Sequence, residues 1–138
     1  MKRFIITILA LTVLVGSAFA VDKHTKKFDE GVAICQQIAE DYNIEVEIKQ
    51  VGALPNNAAA VCMKKGEKFV IKLDWNYTRS MTPNIVIPTL IHEMAHAVTN
   101  NCGHGQEWIN AIYDIVDYFP NMNSYESSIL NREIEMED

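Results

Sequence analysis

The stretch His92-Glu93-Met94-Ala95-His96 combines two imidazoles and a carboxylate at a spacing suited to metal and acid–base chemistry. Residues four apart lie on the same face of an α-helix, one turn from each other, so His92 and His96 can reach one ion. Glu93 points into the same site and can take a proton from water held there. This arrangement is typical of zinc hydrolases.

A catalytic zinc site takes three protein ligands and keeps one position open for water, so a third ligand is needed from outside the helix. His104 follows a reversal rich in asparagine and glycine, residues 100–103, and is predicted to be that ligand. Three of the four histidines of the chain therefore serve one site. Glu107 and Glu126 are rivals, because some zinc proteases use a glutamate from a later helix. Glu107 could alternatively interact with the ligand residues without binding the ion itself.

Other polar side chains that follow the motif could assist the same chemistry. Ligating histidines usually donate their second ring N–H to an acceptor, and Asp114 or Asp117 could accept it. An oxyanion would need a donor besides the metal. The pattern favours none of the four candidates over the others, which are Tyr113, Tyr118, Tyr125 and Arg132.

The elements that must position the motif are a helix and three strands on its N-terminal side. Apolar residues at helical spacing predict an amphipathic helix from about Lys26 to Tyr42, with Asn43 as its stop. Alternation of apolar and charged residues predicts a strand from Ile44 with one solvated face. Two further strands flank a turn and form a hairpin. The pattern favours an ordinary hairpin strand for Lys68–Leu73, although this strand could instead lie at the sheet edge and pair with a peptide. The two strands of the hairpin are Ala58–Met63 and Lys68–Leu73, and residues 74–84 are expected to be irregular.

Two helices should carry and follow the motif. The first is predicted to begin near Pro88, which a first turn tolerates, and to end at Thr99 or Asn100. The second is predicted from Gln106 to Tyr118, and the acidic tail from Glu133 is expected to be frayed. The order of elements predicts an α+β fold, a small zincin-like domain with an N-terminal helix, a three-stranded sheet, the active-site helix and a following helix.

The first twenty residues are predicted to be a signal peptide, with a basic start, an apolar run over residues 4–15 and small residues at Ala18 and Ala20. Residues 21–138 then form a single domain that is secreted or periplasmic, with no membrane attachment after cleavage. Removing Lys2 and Arg3 changes the formal charge from −6 to −8, with 10 basic against 18 acidic residues. An acidic domain of this kind is repelled by nucleic acid and by anionic membranes.

The three cysteines leave two alternatives open. Export would expose them to an oxidising compartment, where one disulfide among Cys35, Cys62 and Cys102 is expected, with one thiol left over. Three buried apolar thiols are an equal alternative. No C-x-x-C spacing is present, which argues against a cysteine zinc site.

With these residues in place, the chain resembles the SprT-like zinc metallopeptidases, which have a zincin fold. Their signature is H-E-x-x-H, a variable loop, and H-G-x-x with an aromatic residue, here His104-Gly105-Gln106-Glu107-Trp108. The resemblance extends over roughly residues 44–119 and includes the strand Val70-Ile71-Lys72-Leu73. It implies Zn²⁺ bound by His92, His96 and His104, with Glu93 catalytic and Trp108 packed behind the third ligand.

Two comparisons limit what the resemblance implies. SprT-like proteins are typically intracellular and linked to DNA-bound substrates, whereas this chain is acidic and begins with a predicted signal peptide, so only the fold and the zinc chemistry are carried over. Metzincins fit less well, because Thr99 occupies their glycine position and His104 is two residues late. The sequence thus predicts an exported zinc metallopeptidase acting on peptides or proteins. The alternative is a non-catalytic zinc-binding domain that docks a protein partner.

Overall fold

The computed structural model describes residues 22–137. The predicted signal peptide, residues 1–20, lies outside this range. Within it, no helix has both the length and the apolar character required to cross a bilayer. The described part forms an α+β domain, which confirms the predicted fold class. Its helices and strands are α1 (Lys23–Asp41), β1 (Glu45–Val51), β2 (Ala60–Lys65), β3 (Lys68–Asp74), α2 (Trp75–Ser80), α3 (Val86–Thr99), α4 (Gln106–Val116) and α5 (Ser124–Glu137).

The three strands form one mixed sheet in the order β1-β3-β2. β3 pairs parallel to β1, with Val46 opposite Phe69, and antiparallel to β2, with Cys62 opposite Ile71. Gly66 has a φ of 63°, a left-handed conformation that glycine adopts without strain, and it closes the predicted hairpin. Lys68–Leu73 is an ordinary hairpin strand, and the alternative that it lies at the sheet edge is wrong. It is the central strand because β1 pairs on its other side, and β2 is the edge strand of the hairpin.

Helix α1 has the apolar face that its spacing predicts, and it packs this face against α3 and β1. Asp22 caps the helix by accepting a hydrogen bond from the Thr25 backbone N–H at 3.0 Å. Five of its apolar side chains are buried, and Asn43 follows with a φ of 55°, in the left-handed region where asparagine commonly ends a helix. On β1, Val46 and Ile48 face the same core. The five buried residues are Phe28, Val32, Cys35, Ile38 and Ala39.

Helix α3, which carries the motif, lies at the centre of the domain. It contacts α1, β2, α4 and α5, so most of its circumference is buried. Pro88 lies in its first turn, where the missing N–H is harmless, and Asn100 ends it with a φ of 51°. A rigid central helix keeps the spacing between His92 and His96 fixed.

Two segments are more ordered than the sequence predicted. Residues 75–80 form α2, which Asp74 caps by accepting from the Tyr77 N–H at 3.0 Å, within the stretch expected to be irregular. The tail from Glu133, expected to be frayed, is instead the last part of α5. Asn123 and Glu126 form a reciprocal capping box at its start, each side chain accepting from the other's backbone N–H at 2.8 Å. Leu130 and Ile134, one turn apart, are buried in the core and anchor the helix.

Candidate metal centre

The three motif histidines converge on one point. His92 and His96 project from α3, and His104 projects from the loop before α4, where residues 100–105 turn the chain back. Their ligand atoms all lie within 4.8 Å of one another, and all three side chains are half-buried. The structure therefore brings together the three residues that the sequence singled out, in a group able to hold a metal ion.

On each histidine ring, the nitrogen that faces away from the cluster, Nδ1, lies near a hydrogen-bond acceptor. His92 Nδ1 lies 3.1 Å from Glu133 Oε1, and His96 Nδ1 lies 2.9 Å from the Asn101 carbonyl oxygen. A carbonyl oxygen can only accept, so the proton of neutral His96 is on Nδ1 and its Nε2 carries a free lone pair. The same reasoning applies to His92 beside its carboxylate. The inward nitrogens are thus electron-pair donors, the form that metals bind.

The spacing of these donors suits a small tetrahedral ion. His96 Nε2 and His104 Nε2 are 3.1 Å apart. Two nitrogens bound tetrahedrally to zinc at about 2.0–2.1 Å lie about 3.4 Å from each other. In the metal-free protein a ring proton on His104 Nε2 can satisfy this contact with His96 Nε2, and a bound cation would replace that proton. The three-histidine donor set therefore fits a tetrahedral metal ion such as zinc.

Glu93 is a buried carboxylate beside this cluster. Its side chain is 8% exposed, and its Oε2 lies 4.0 Å from His92 Nε2. Burial raises the pKa of Glu93 from its ordinary 4.5 to about 7, which His92 partly opposes and the charge of Glu133 reinforces. A carboxyl group with a pKa near neutrality can both accept and return a proton, as a general base and acid requires.

The environment moves the pKa values of two ligand candidates in opposite directions. Burial lowers the pKa of His92, but the hydrogen bond to Glu133 and the charges of Glu93, Glu133 and Glu137 outweigh it and raise the pKa overall. Burial lowers the pKa of His96, and the charges of His92 and His104 add to this effect against the Asn101 carbonyl. The carboxylates around His92 therefore raise its pKa, whereas burial is the main cause of the lowered pKa of His96.

Trp108 forms the wall behind the cluster. It is 1% exposed, and its ring centroid lies 4.6 Å from that of His104, 4.9 Å from that of His92 and 5.9 Å from that of His96. Its Nε1–H donates to the His92 carbonyl oxygen at 3.3 Å. The aromatic residue that the resemblance placed behind the third ligand therefore contacts all three histidines and excludes water from one side.

A groove opens beside His96. A cavity of about 210 Å³ lies between the β2–β3 hairpin and the end of α3, and a second cavity of about 340 Å³ continues along the hairpin past Phe69 and Asn100.

The three cysteines are free thiols, so among the described residues the expected disulfide is absent. Cys62 and Cys102 line the first cavity, and Cys35 is buried. The alternative of three buried thiols is also wrong, because Cys102 is exposed. Burial and the charge of Glu93 raise the pKa of Cys62 to about 12, which makes it a poor metal ligand.

The rival third ligands lie elsewhere. Glu126 is fully buried, pairs with Lys27 Nζ at 2.8 Å and closes the capping box of α5. Glu107 accepts from the Asn101 side chain at 3.2 Å, and the Asn101 carbonyl in turn receives His96 Nδ1. Glu107 therefore supports a ligand indirectly, which is the alternative that the sequence left open for it.

The predicted orienting residues differ from those observed. Neither Asp114 nor Asp117 forms a hydrogen bond with a histidine in the described structure. Asp114 instead lies near Tyr42, where its charge adds to the effect of burial in raising the pKa of Tyr42. Glu133 and Glu137 take this place, in the tail segment that was expected to be frayed. Of the four suggested oxyanion donors, Tyr118 donates its hydroxyl to Asp41 at 2.7 Å, and the other three, Tyr113, Tyr125 and Arg132, are exposed.

The fold and the site together define an α+β domain built around an H-E-x-x-H helix, the architecture of a zinc metallopeptidase-type domain. Residues 34–128 match the SprT-like family, and the chain belongs to that family. The structure is similar to the crystal structure of the metallopeptidase zymogen of Methanocaldococcus jannaschii jannalysin, with a TM-score of 0.46 and 16% sequence identity, over 77% of this chain and 94% of that chain. No curated protein sequence matches the chain.

Proposed function

We propose that this protein is a zinc-dependent metallopeptidase that hydrolyses peptide bonds. The observation that carries the proposal is the convergence of three histidine donors, each with its Nδ1 facing an acceptor, beside the buried carboxylate of Glu93. Membership of the SprT-like family supports the same reaction class. His92, His96 and His104 are the proposed ligands, and zinc is the proposed metal.

The proposed chemistry divides between the metal and the side chains. Zinc bound by the three histidines supplies Lewis acidity, which polarises a carbonyl group and acidifies water. Glu93 accepts the proton of the attacking water and passes it to the leaving amine, and its burial, which raises the pKa of the carboxyl group, favours both transfers. Trp108 and the burial of Glu93 limit access of other water molecules.

The groove beside His96 suits an extended peptide. β2 is an edge strand and contacts α3, so its free backbone groups lie next to the candidate site. A sheet edge can bind a peptide by adding it as a further strand. We therefore move the proposed substrate strand from Lys68–Leu73 to β2, whose residue Cys62 lines the cavity at His96.

Export is the second part of the proposal. Its support is the sequence of residues 1–20, with a basic start, an apolar run and small residues before Val21. The acidic charge of the mature chain disfavours nucleic acid, so the substrates proposed are peptides or proteins in the periplasm or outside the cell.

The alternative function is a zinc-holding domain that docks a protein partner without cleaving it. The same histidine cluster would hold the zinc, but this function does not require the buried carboxylate of Glu93 beside the cluster. Peptide cleavage measured on protein that carries one zinc per chain separates the two functions.

The affinity for zinc should depend on pH. Because a histidine must be neutral to bind metal, protons compete for the three ligands, and the raised pKa of His92 brings this competition closer to neutral pH. Zinc affinity is therefore expected to begin to fall near neutral pH and to fall steeply below about pH 6, where the other ligands are also protonated. Competition with a chromophoric chelator between pH 8 and 5 measures it. An affinity that stays flat from pH 7 to 5 would contradict ligation by three histidines.

A further inference from the structure

Two carboxylates of α5 lie against the outer nitrogens of two proposed ligands. Glu133 Oε1 is 3.1 Å from His92 Nδ1, and Glu137 Oε2 is 3.5 Å from His104 Nδ1. Glu133 and Glu137 are four residues apart and therefore lie one above the other on one helical face. The third proposed ligand, His96, has a backbone carbonyl in the equivalent place.

We propose that Glu133 and Glu137 are positioning residues that orient His92 and His104 for metal binding, an inference that rests on the proposed zinc site. Both carboxylates lie beyond residue 128, where the match to the SprT-like family ends. The support for two of the three ligands thus comes from a part of this chain that the family match does not include.

Helix α5 is anchored well enough to carry this role. Its start is fixed by the capping box of Asn123 and Glu126 and by the ion pair of Glu126 with Lys27 of α1. Its middle is held by Leu130 and Ile134 in the core. A carboxylate on a fixed helix restrains the rotation of a histidine ring and makes its inward nitrogen a stronger donor.

The two carboxylates should contribute unequally. The 3.1 Å contact of Glu133 is within hydrogen-bond range, whereas the 3.5 Å separation of Glu137 is longer than an ordinary hydrogen bond. Loss of an outer partner of a metal-bound histidine typically weakens metal binding by about 10–100-fold. We expect Glu133→Ala to fall in this range and Glu137→Ala to have a smaller effect. The double variant should be weaker than either single variant.

The test is the zinc dissociation constant of the full chain, measured by competition with a chromophoric chelator at pH 7.5. Glu135→Ala is the matched control, because Glu135 is an exposed glutamate of the same helix and its removal changes the net charge equally. Glu133→Gln is the conservative variant: its amide oxygen still accepts from His92 Nδ1, so it should recover part of the lost affinity. Circular dichroism and thermal denaturation of the metal-free variants show whether α5 is retained.

The outcomes are distinct. Weaker zinc binding by Glu133→Ala than by Glu135→Ala, with partial recovery in Glu133→Gln and unchanged metal-free stability, supports positioning. Equal dissociation constants for Glu133→Ala and Glu135→Ala would overturn it while leaving the zinc site intact. Equal losses in Glu133→Gln and Glu133→Ala would also overturn it, since a direct metal ligand behaves in that way. A wild-type chain that binds no zinc would overturn both this inference and the proposed function.

Discussion

Glu93→Gln is expected to abolish most peptide hydrolysis while zinc remains bound. Glutamine cannot accept the water proton, and general-base catalysis by a positioned carboxylate contributes about 10²–10⁴-fold to a rate. The three histidines are unchanged, so the zinc content should stay at the wild-type level. Initial cleavage rates of a fluorogenic peptide, together with metal analysis of the same samples, measure both quantities.

The same substitution should make the metal-free protein more stable at high pH. Burial raises the pKa of Glu93 to about 7, above the 4.5 of an ordinary glutamate, so its ionisation destabilises the folded state as pH rises from 4.5 to 7. Glutamine removes this loss, and thermal denaturation of metal-free protein at pH 8 should show a higher midpoint for Glu93→Gln. Glu135→Gln, at an exposed position, should alter neither hydrolysis nor stability. Retention of full hydrolysis in Glu93→Gln would exclude Glu93 as the general base.

Loss of one histidine ligand is expected to remove zinc and, with it, activity. Structural zinc sites bind with about 10–16 kcal/mol, so each of four ligands is worth about 3 kcal/mol, or roughly 100–1000-fold in affinity. His96→Ala should therefore bind zinc at least about 100-fold more weakly than the wild type. Zinc at a thousandfold excess over its dissociation constant should stabilise the wild type by about 4 kcal/mol, and the variant far less.

The matched control is His24→Ala. His24 is the one histidine outside the cluster, and its Nε2 lies 2.7 Å from the Met81 carbonyl oxygen instead. Treatment with a chelator should abolish hydrolysis in the wild type and in His24→Ala, and added zinc should restore it in both. Restoration in His96→Ala to the same level would show that this residue is no ligand.

Strong periodicity made much of the fold predictable. The apolar spacing of α1, α3 and α4 sets which faces are buried, and the alternation of Val46 and Ile48 with charged residues sets the face of β1. The spacing of His92 and His96 fixes their relation on one helix regardless of the rest of the fold. The reversal at residues 100–103 made His104 predictable, because a helix must end before the chain can return to the same site.

Long-range relations were not predictable from local patterns. Residues 74–84 have no apolar period, and α2 forms because Asp74 caps it and Thr78 Oγ1 donates to the Asp74 carbonyl oxygen at 2.8 Å. The strand order depends on the pairing of β1 with β3 across more than twenty residues, which no turn signal encodes. Because the tail is acidic, the sequence pattern did not predict α5. The signals that could have revealed it were Asn123 three residues before Glu126 and Leu130 four before Ile134.

The central claim is that this SprT-like chain is a zinc peptidase, and the most direct test is a cleavage-site profile. Wild-type protein with one zinc per chain is incubated with a proteome-derived peptide library, and new termini are identified by mass spectrometry. We predict a set of new termini that is absent after chelation and absent with Glu93→Gln. A zinc-loaded wild type that generates no new termini would contradict the claim and favour the function of binding a protein partner.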